Sequence, residues 1–170
     1  MRVHLLNFIL LLLLTSTSGH AEDPPLAVYD LKIFDYKLGM TYEEAISVRA
    51  FHYTVYPAEN QATGIINSAY IEDVEFNTAV YFQNDVVFKI VGRFDPKQHE
   101  KVLESLKNVL GEGEESTKNF NVVNGTEVRQ SICKWNFPGA RIDLICLSNN
   151  TEFATLSMMS STLGENSPEP

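Results

Sequence analysis

The chain has 170 residues, 44% of them hydrophobic, and a formal net charge of −9. That length suits one folded core rather than several domains. The excess of 22 acidic over 13 basic side chains argues against nucleic acid or an anionic membrane surface as partner.

Residues 1–21 read as a secretory signal. Arg2 and His4 precede a leucine-rich run over 5–14, and Gly19-His20-Ala21 is a small-x-small cleavage site. The run is shorter than the roughly 20 apolar residues of a spanning helix. The sequence therefore predicts export to the periplasm or the extracellular space, with no membrane span after cleavage. Loss of the signal removes Arg2 and leaves the mature chain more acidic still. Solubility accounts for that charge; a basic partner is the functional alternative. Residues 22–162 form the expected single domain, and 163–170 a disordered tail.

Residues 27–36 alternate loosely through Val28, Leu31, Ile33 and Phe34 and predict a strand. Thr41 with Glu44 is a capping box, so a short helix follows over 42–50, burying Ala45 and Ile46. Residues 51–60 are aromatic but aperiodic. They read either as a crossover that caps the core or as a binding loop. Strands are expected over 64–71, 74–82 and 86–94, with Asn84-Asp85 as a hairpin tip. With that tip, Tyr81 faces Phe88, and Lys89 shares a side with Val80, Phe82 and Val91. Both sides are apolar enough to be covered twice or to meet another protein.

Asp95-Pro96 opens a second helix, whose stripe is Val102, Leu103, Leu106, Val109 and Leu110, closed by Gly111. Residues 112–118 read as a polar loop. Asn124-Gly125 then marks a hairpin tip. Its second strand runs into a cysteine hairpin over 132–147, and 152–159 gives a last strand. Asn124 and Asn149 begin sequons, used only in a eukaryotic secretory pathway. The expected class is α+β: antiparallel meanders with two helices packed on one side, in two helix-plus-meander halves.

In the cysteine hairpin, a turn at Gly139-Ala140 sets Phe137 against Ile142, Trp135 against Leu144 and Cys133 against Cys146. The other side then carries Lys134, Asn136, Asp143 and Ile145. Directly opposed cysteines lie within disulfide reach, and the chain has only these two, so a Cys133–Cys146 bridge is expected.

No catalytic, metal or cofactor site is expected. His52 and His99 have no ligand spacing around them, and no nucleophile elbow or phosphate loop occurs. Glu72, Asp73 and Glu75 read as a solvated turn rather than the facing carboxylates of a glycosidase.

The stretch Leu38-Gly39-Met40-Thr41-Tyr42-Glu43-Glu44-Ala45 resembles the helix entry of two groups of small exported bacterial proteins. These are the outer-membrane-assembly lipoproteins of the SmpA/OmlA type and the β-lactamase inhibitory proteins. The chain lacks the lipobox cysteine of the first group. The resemblance implies an envelope protein that binds another protein and carries over no functional residue.

The leading expectation is thus an exported, non-enzymatic protein that binds a protein partner, as an inhibitor, immunity protein or assembly accessory. Tyr53, Tyr56 and Glu59 are the candidate contact residues. A carrier of a small apolar or lipidic ligand is the alternative, and a hydrolase with an unrecognised site the third. The sequence leaves the partner and the oligomeric state open.

Overall fold

The computed structural model describes residues 31–121, 127–148 and 152–161. The expected signal, the start of the expected first strand, both sequon asparagines and the tail lie outside them. The described elements are α1 (Tyr42–Val48), β1 (Tyr53–Ala58), β2 (Gln61–Ile71), β3 (Val74–Gln83) and β4 (Val86–Phe94). A 3-10 turn at Pro96–Gln98 leads into α2 (His99–Leu110). Then come β5 (Glu114–Asn121), β6 (Glu127–Phe137), β7 (Ala140–Leu147) and β8 (Ala154–Ser160). The strands make one antiparallel sheet in the order β1-β2-β3-β4-β8-β7-β6-β5. The fold is α+β and mostly sheet. Each helix precedes a four-stranded meander, and the two meanders meet at β4 and β8.

Alternation along the strands defines the two faces of the sheet. On β3, Val74, Phe76, Thr78, Val80 and Phe82 are buried, and the residues between them are not. Cross-strand register carries the buried set to Ile90 and Phe94 on β4, Leu156 and Met158 on β8, Ile142 and Leu144 on β7, and Trp135 on β6. Each large apolar side chain in this set contributes about 1.5–3 kcal/mol by leaving water.

Two expectations for the first half fail. Residues 31–36 do not form a strand. Ile33 and Tyr36 exchange both backbone hydrogen bonds, each 3.0 Å, across a tight turn in which Phe34 and Asp35 take positive φ. Tertiary packing stabilises this turn. The Phe34 ring lies 4.8 Å from Phe76 and rests over Gly92, where a Cβ would come within 2.6 Å of it. Gly64 receives Phe51 in the same way. Residues 53–58, read as an aperiodic segment, form edge strand β1 instead. Its Pro57 sits where the pairing with β2 becomes irregular, a position an edge strand tolerates.

The capping box of α1 is present, with Thr41 Oγ1 accepting from Glu44 N and Glu44 from Thr41 N. The helix buries Ala45, while Ile46 stays exposed, contrary to the expected stripe. In α2, Val102 and Leu106 are buried and Leu103 and Leu110 partly so, but Val109 is 70% exposed. The buried strip is narrower than the periodicity indicates, because only one side of a single helix meets the core. The expected polar loop over 112–118 becomes part of β5 from Glu114 onward. This edge strand is exposed along its whole length, which explains its polar composition.

Two hairpin registers differ from expectation. At β3–β4 the Asn84-Asp85 tip is as read, and Phe82 opposes Val87. A bulge at Phe88 then sets Tyr81 against Lys89 and Val80 against Ile90. One inserted residue reverses the facing of everything beyond it. Lys89, Val91 and Arg93 therefore lie on the face opposite the core. At β6–β7 the tip is Pro138-Gly139, with Gly139 at φ +81°. Proline at the first corner and a positive-φ glycine at the second suit a type II turn. Phe137 opposes Ala140, Trp135 opposes Ile142 and Cys133 opposes Leu144. The pairing is two residues away from the expected one, so the faces are kept and the partners change.

Three measurements check this packing. Leu106→Ala should lower unfolding stability by about 2–5 kcal/mol in denaturant melts. Gly92→Ala should cost about 1–3 kcal/mol, because the new methyl displaces the Phe34 ring. Burial pushes the Tyr36 hydroxyl up to about 12 from its usual 10.0. The neutral phenol is thus favoured in the fold, and stability should fall as pH rises from about 10 to 12. Tyr36→Phe should flatten that decline.

Candidate functional site

The face opposite the core reads as successive rows across the strands. One row runs Tyr81 (β3), Lys89 (β4), Met159 (β8), Arg141 (β7), Asn136 (β6). The next runs Ala79, Val91, Ser157, Asp143, Lys134, and reaches Ile65 and Tyr53 at the β1 side. A third runs Asn77, Arg93, Thr155, Ile145, Ile132. Neighbouring strands lie about 4.8 Å apart, so these side chains form one continuous field.

Charge on this field is held in place by local partners. The Lys89 ammonium stands 5.7 Å from the Tyr81 ring centre, and the Arg93 guanidinium 4.4 Å from that of Phe153. Arg141 Nε donates to Asp143 Oδ2 at 2.9 Å, and its Nη2 reaches Met159 Sδ at 3.2 Å. Asp143 is only 5% exposed although it faces away from the core. Its Oδ1 has no hydrogen-bond partner among the described residues.

The three residues singled out from sequence do not share one surface. Tyr53, 54% exposed, belongs to the outer face and lines a shallow cleft of about 300 Å³ with Ile65, Tyr81, Val91 and Arg93. Tyr56, 69% exposed, lies with Glu59 at the sheet rim. There they border a cleft of about 380 Å³ shared with Tyr42, Asn84 and Asp85. A hydrogen bond with Tyr42 raises the Tyr56 phenol above its ordinary pKa. Alternation separates Tyr53 from Tyr56, since residues three apart on a strand point to opposite faces. The residues that sequence reading missed are Lys89, Arg93 and Arg141. The signal for Lys89 and Arg93 was the bulge at Phe88, which no local residue pattern announced.

A larger cleft, about 710 Å³, lies at one end of the sheet. It is lined by Asp73, Glu75, Asp95 and Glu152 beside Arg93 and Phe153. Glu72 accepts a 2.7 Å hydrogen bond from Ser105, and Asp73 is paired with Lys101. These carboxylates therefore tie the β2–β3 turn to α2. Among the described residues no group of three His, Cys, Asp or Glu side chains could hold a metal ion. His52 is exposed near Tyr53. His99 is buried, with Nδ1 3.4 Å from Glu100 and Nε2 without a partner among the described residues.

The two cysteines stand as free thiols. The observed register sets Cys133 against Leu144 and Cys146 against Ser131, a diagonal relation. Diagonal neighbours lie about 7–8 Å apart, too far for a bridge without backbone movement. Burial raises the pKa of both thiols, and the nearby Glu115 and Glu100 carboxylates add to it for Cys133 and Cys146 respectively. Fewer thiolates then exist near pH 8, so alkylation of the folded protein should be slower than that of a free cysteine. Denatured without reductant, the protein should take up an alkyl group at both positions. A mass without added groups would restore the bridge.

Compared with family models, curated proteins and solved structures, the chain matches none.

Proposed function

We propose that this chain is an exported, non-enzymatic binding protein that engages a protein partner through the outer face of its sheet. The observation that carries the reading is the composition of that face. Tyr53, Ile65, Tyr81 and Val91 form an apolar and aromatic field beside fixed polar groups.

The contacts of the remaining elements support the same reading. Phe34 and Tyr42 meet Phe76 and Phe82 on the core face. The indole Nε1 of Trp135, also on that face, donates to Gly111 O at 2.8 Å just after α2. We take both helices, with the segment before α1, to cover the core face and leave the other free. The repeated helix-plus-meander order fits two halves of similar topology. Together they build a broader face than one meander would. Among the described residues no helix is long and apolar enough to cross a membrane.

Photo-crosslinking tests the surface. A benzophenone side chain at Asn77, on the outer face, should trap a protein when the mature chain is expressed in its native envelope. The same group at Asn108, exposed on α2, should not. Equal yields at the two positions, or none at either, would overturn the reading. Tyr53→Ala should weaken binding of the trapped partner about tenfold or more with an unchanged denaturation midpoint. Tyr56→Ala, at the rim, should leave affinity unaltered.

A further inference from the structure

We infer that the partner presents an acidic patch to the outer face, although the chain itself is strongly acidic. This rests on the proposed use of that face. Along the three rows from β3 to β6, Lys89, Arg93, Lys134 and Arg141 stand against Asp143 alone. Asp143 already accepts from Arg141. Lys89, Arg93 and Lys134 make no ion pair among the described residues, whereas Lys101 and Lys107 of α2 are matched by Asp73 and by Glu112 with Glu115. The second row continues to Glu114 of β5, opposite Lys134, and Glu75 stands on the same face beyond Asn77, so the cationic area is the middle of the face, around Lys89, Arg93 and Arg141.

Geometry narrows the occupant to a protein surface. Lys89 and Arg141 lie in one row, two strand spacings or about 10 Å apart. Carboxylates on a folded partner can match that spacing. The Arg93 guanidinium lies over the Phe153 ring and makes no ion pair among the described residues, so its planar fork is available to a bidentate carboxylate. The apolar side chains set among the cations, Ile65, Ala79, Val91 and Met159, suit buried side chains better than a phosphate backbone. At the end of the field beyond Arg93, Asp73, Glu75, Asp95 and Glu152 repel acid. A long uniform polyanion would meet that end, whereas a compact acidic patch would not, and the contrast fixes the partner's orientation.

The test uses fluorescent 15-residue peptides rich in Asp and Glu with interspersed Tyr and Leu, and counterparts carrying Gln or Lys in place of the acids. Anisotropy with the mature chain should show the acidic peptides binding about tenfold tighter than the Gln set, with that preference falling as salt rises from about 50 to 300 mM. Lys89→Glu with Arg93→Glu should abolish the preference, and Lys37→Glu with Lys97→Glu, off these rows, should retain it. Circular dichroism would confirm that both variants fold. No acidic preference, a preference that survives the first pair of substitutions, or stronger binding to phosphatidylglycerol vesicles or duplex DNA would each overturn the inference. If the Asn77 crosslink to a protein persists undiminished in the Lys89→Glu, Arg93→Glu chain, the binding face stands and the charge assignment fails.

Discussion

The pairing of β4 with β8 is the constraint on which the rest of the sheet depends. Six rungs, from Lys89–Met159 to Phe94–Ala154, join the two meanders into one sheet. On the core side the joint is made by Ile90 against Met158 and Gly92 against Leu156, all buried. On the outer side the same rungs place Lys89 beside Met159 and Val91 beside Ser157. Without this joint the rows of the outer face would end at β4, and Arg141 and Lys134 would belong to a separate surface.

The joint in turn depends on how the core face is covered. A sheet this wide needs a layer over its apolar side, and two short helices supply only part of it. Aromatic rings supply more. Phe34 and Phe51 settle onto Gly92 and Gly64, positions where any side chain would collide with them. Residues 39–42 are tied to 85–87 by backbone hydrogen bonds of 2.8–3.0 Å, anchoring the entry of α1 to the start of β4. Immediately beyond that anchor lies the Phe88 bulge. Covering one face and aiming the charges of the other are therefore linked events at one end of one strand.

The electrostatic picture follows from where carboxylates are used. Several neutralise or brace: Glu72 and Asp73 hold α2, Glu112 and Glu115 hold Lys107, and Asp143 holds Arg141. The exposed ion pairs among them, at Lys101 and Lys107, contribute little to stability. Their effect here is distribution. They cancel cations around the helix and the turns and leave Lys89, Arg93 and Lys134 free of ion pairs among the described residues. Net charge alone, a sum over the whole chain, reads as solubility, with a basic partner as the functional alternative; the proposal of an acidic partner rests on the local field instead.

The sequence by itself determined most of the elements. The capping box at Thr41, the Asn84-Asp85 turn, the Leu106 stripe and the alternation of β3 are short-range patterns, and each is found where its residues indicate. The α+β class follows from them. Tertiary structure alone decided the rest. The left-handed turn at Phe34 exists because a ring must reach Gly92. Edge strand β1 exists because β2 offers it a partner. The cysteines part because Pro138, rather than Gly139, takes the first corner of the turn, and the shift moves every partner by two. The candidate face was the least legible feature. Of its residues, Tyr53 was named from sequence. Lys89 was placed on the wrong side and Arg93 was not placed at all, since a single bulged residue inverts a strand's facing and leaves no trace in composition or periodicity. Which side chains share a surface depends on register across strands distant in sequence, and register is fixed only when the whole sheet closes over its core.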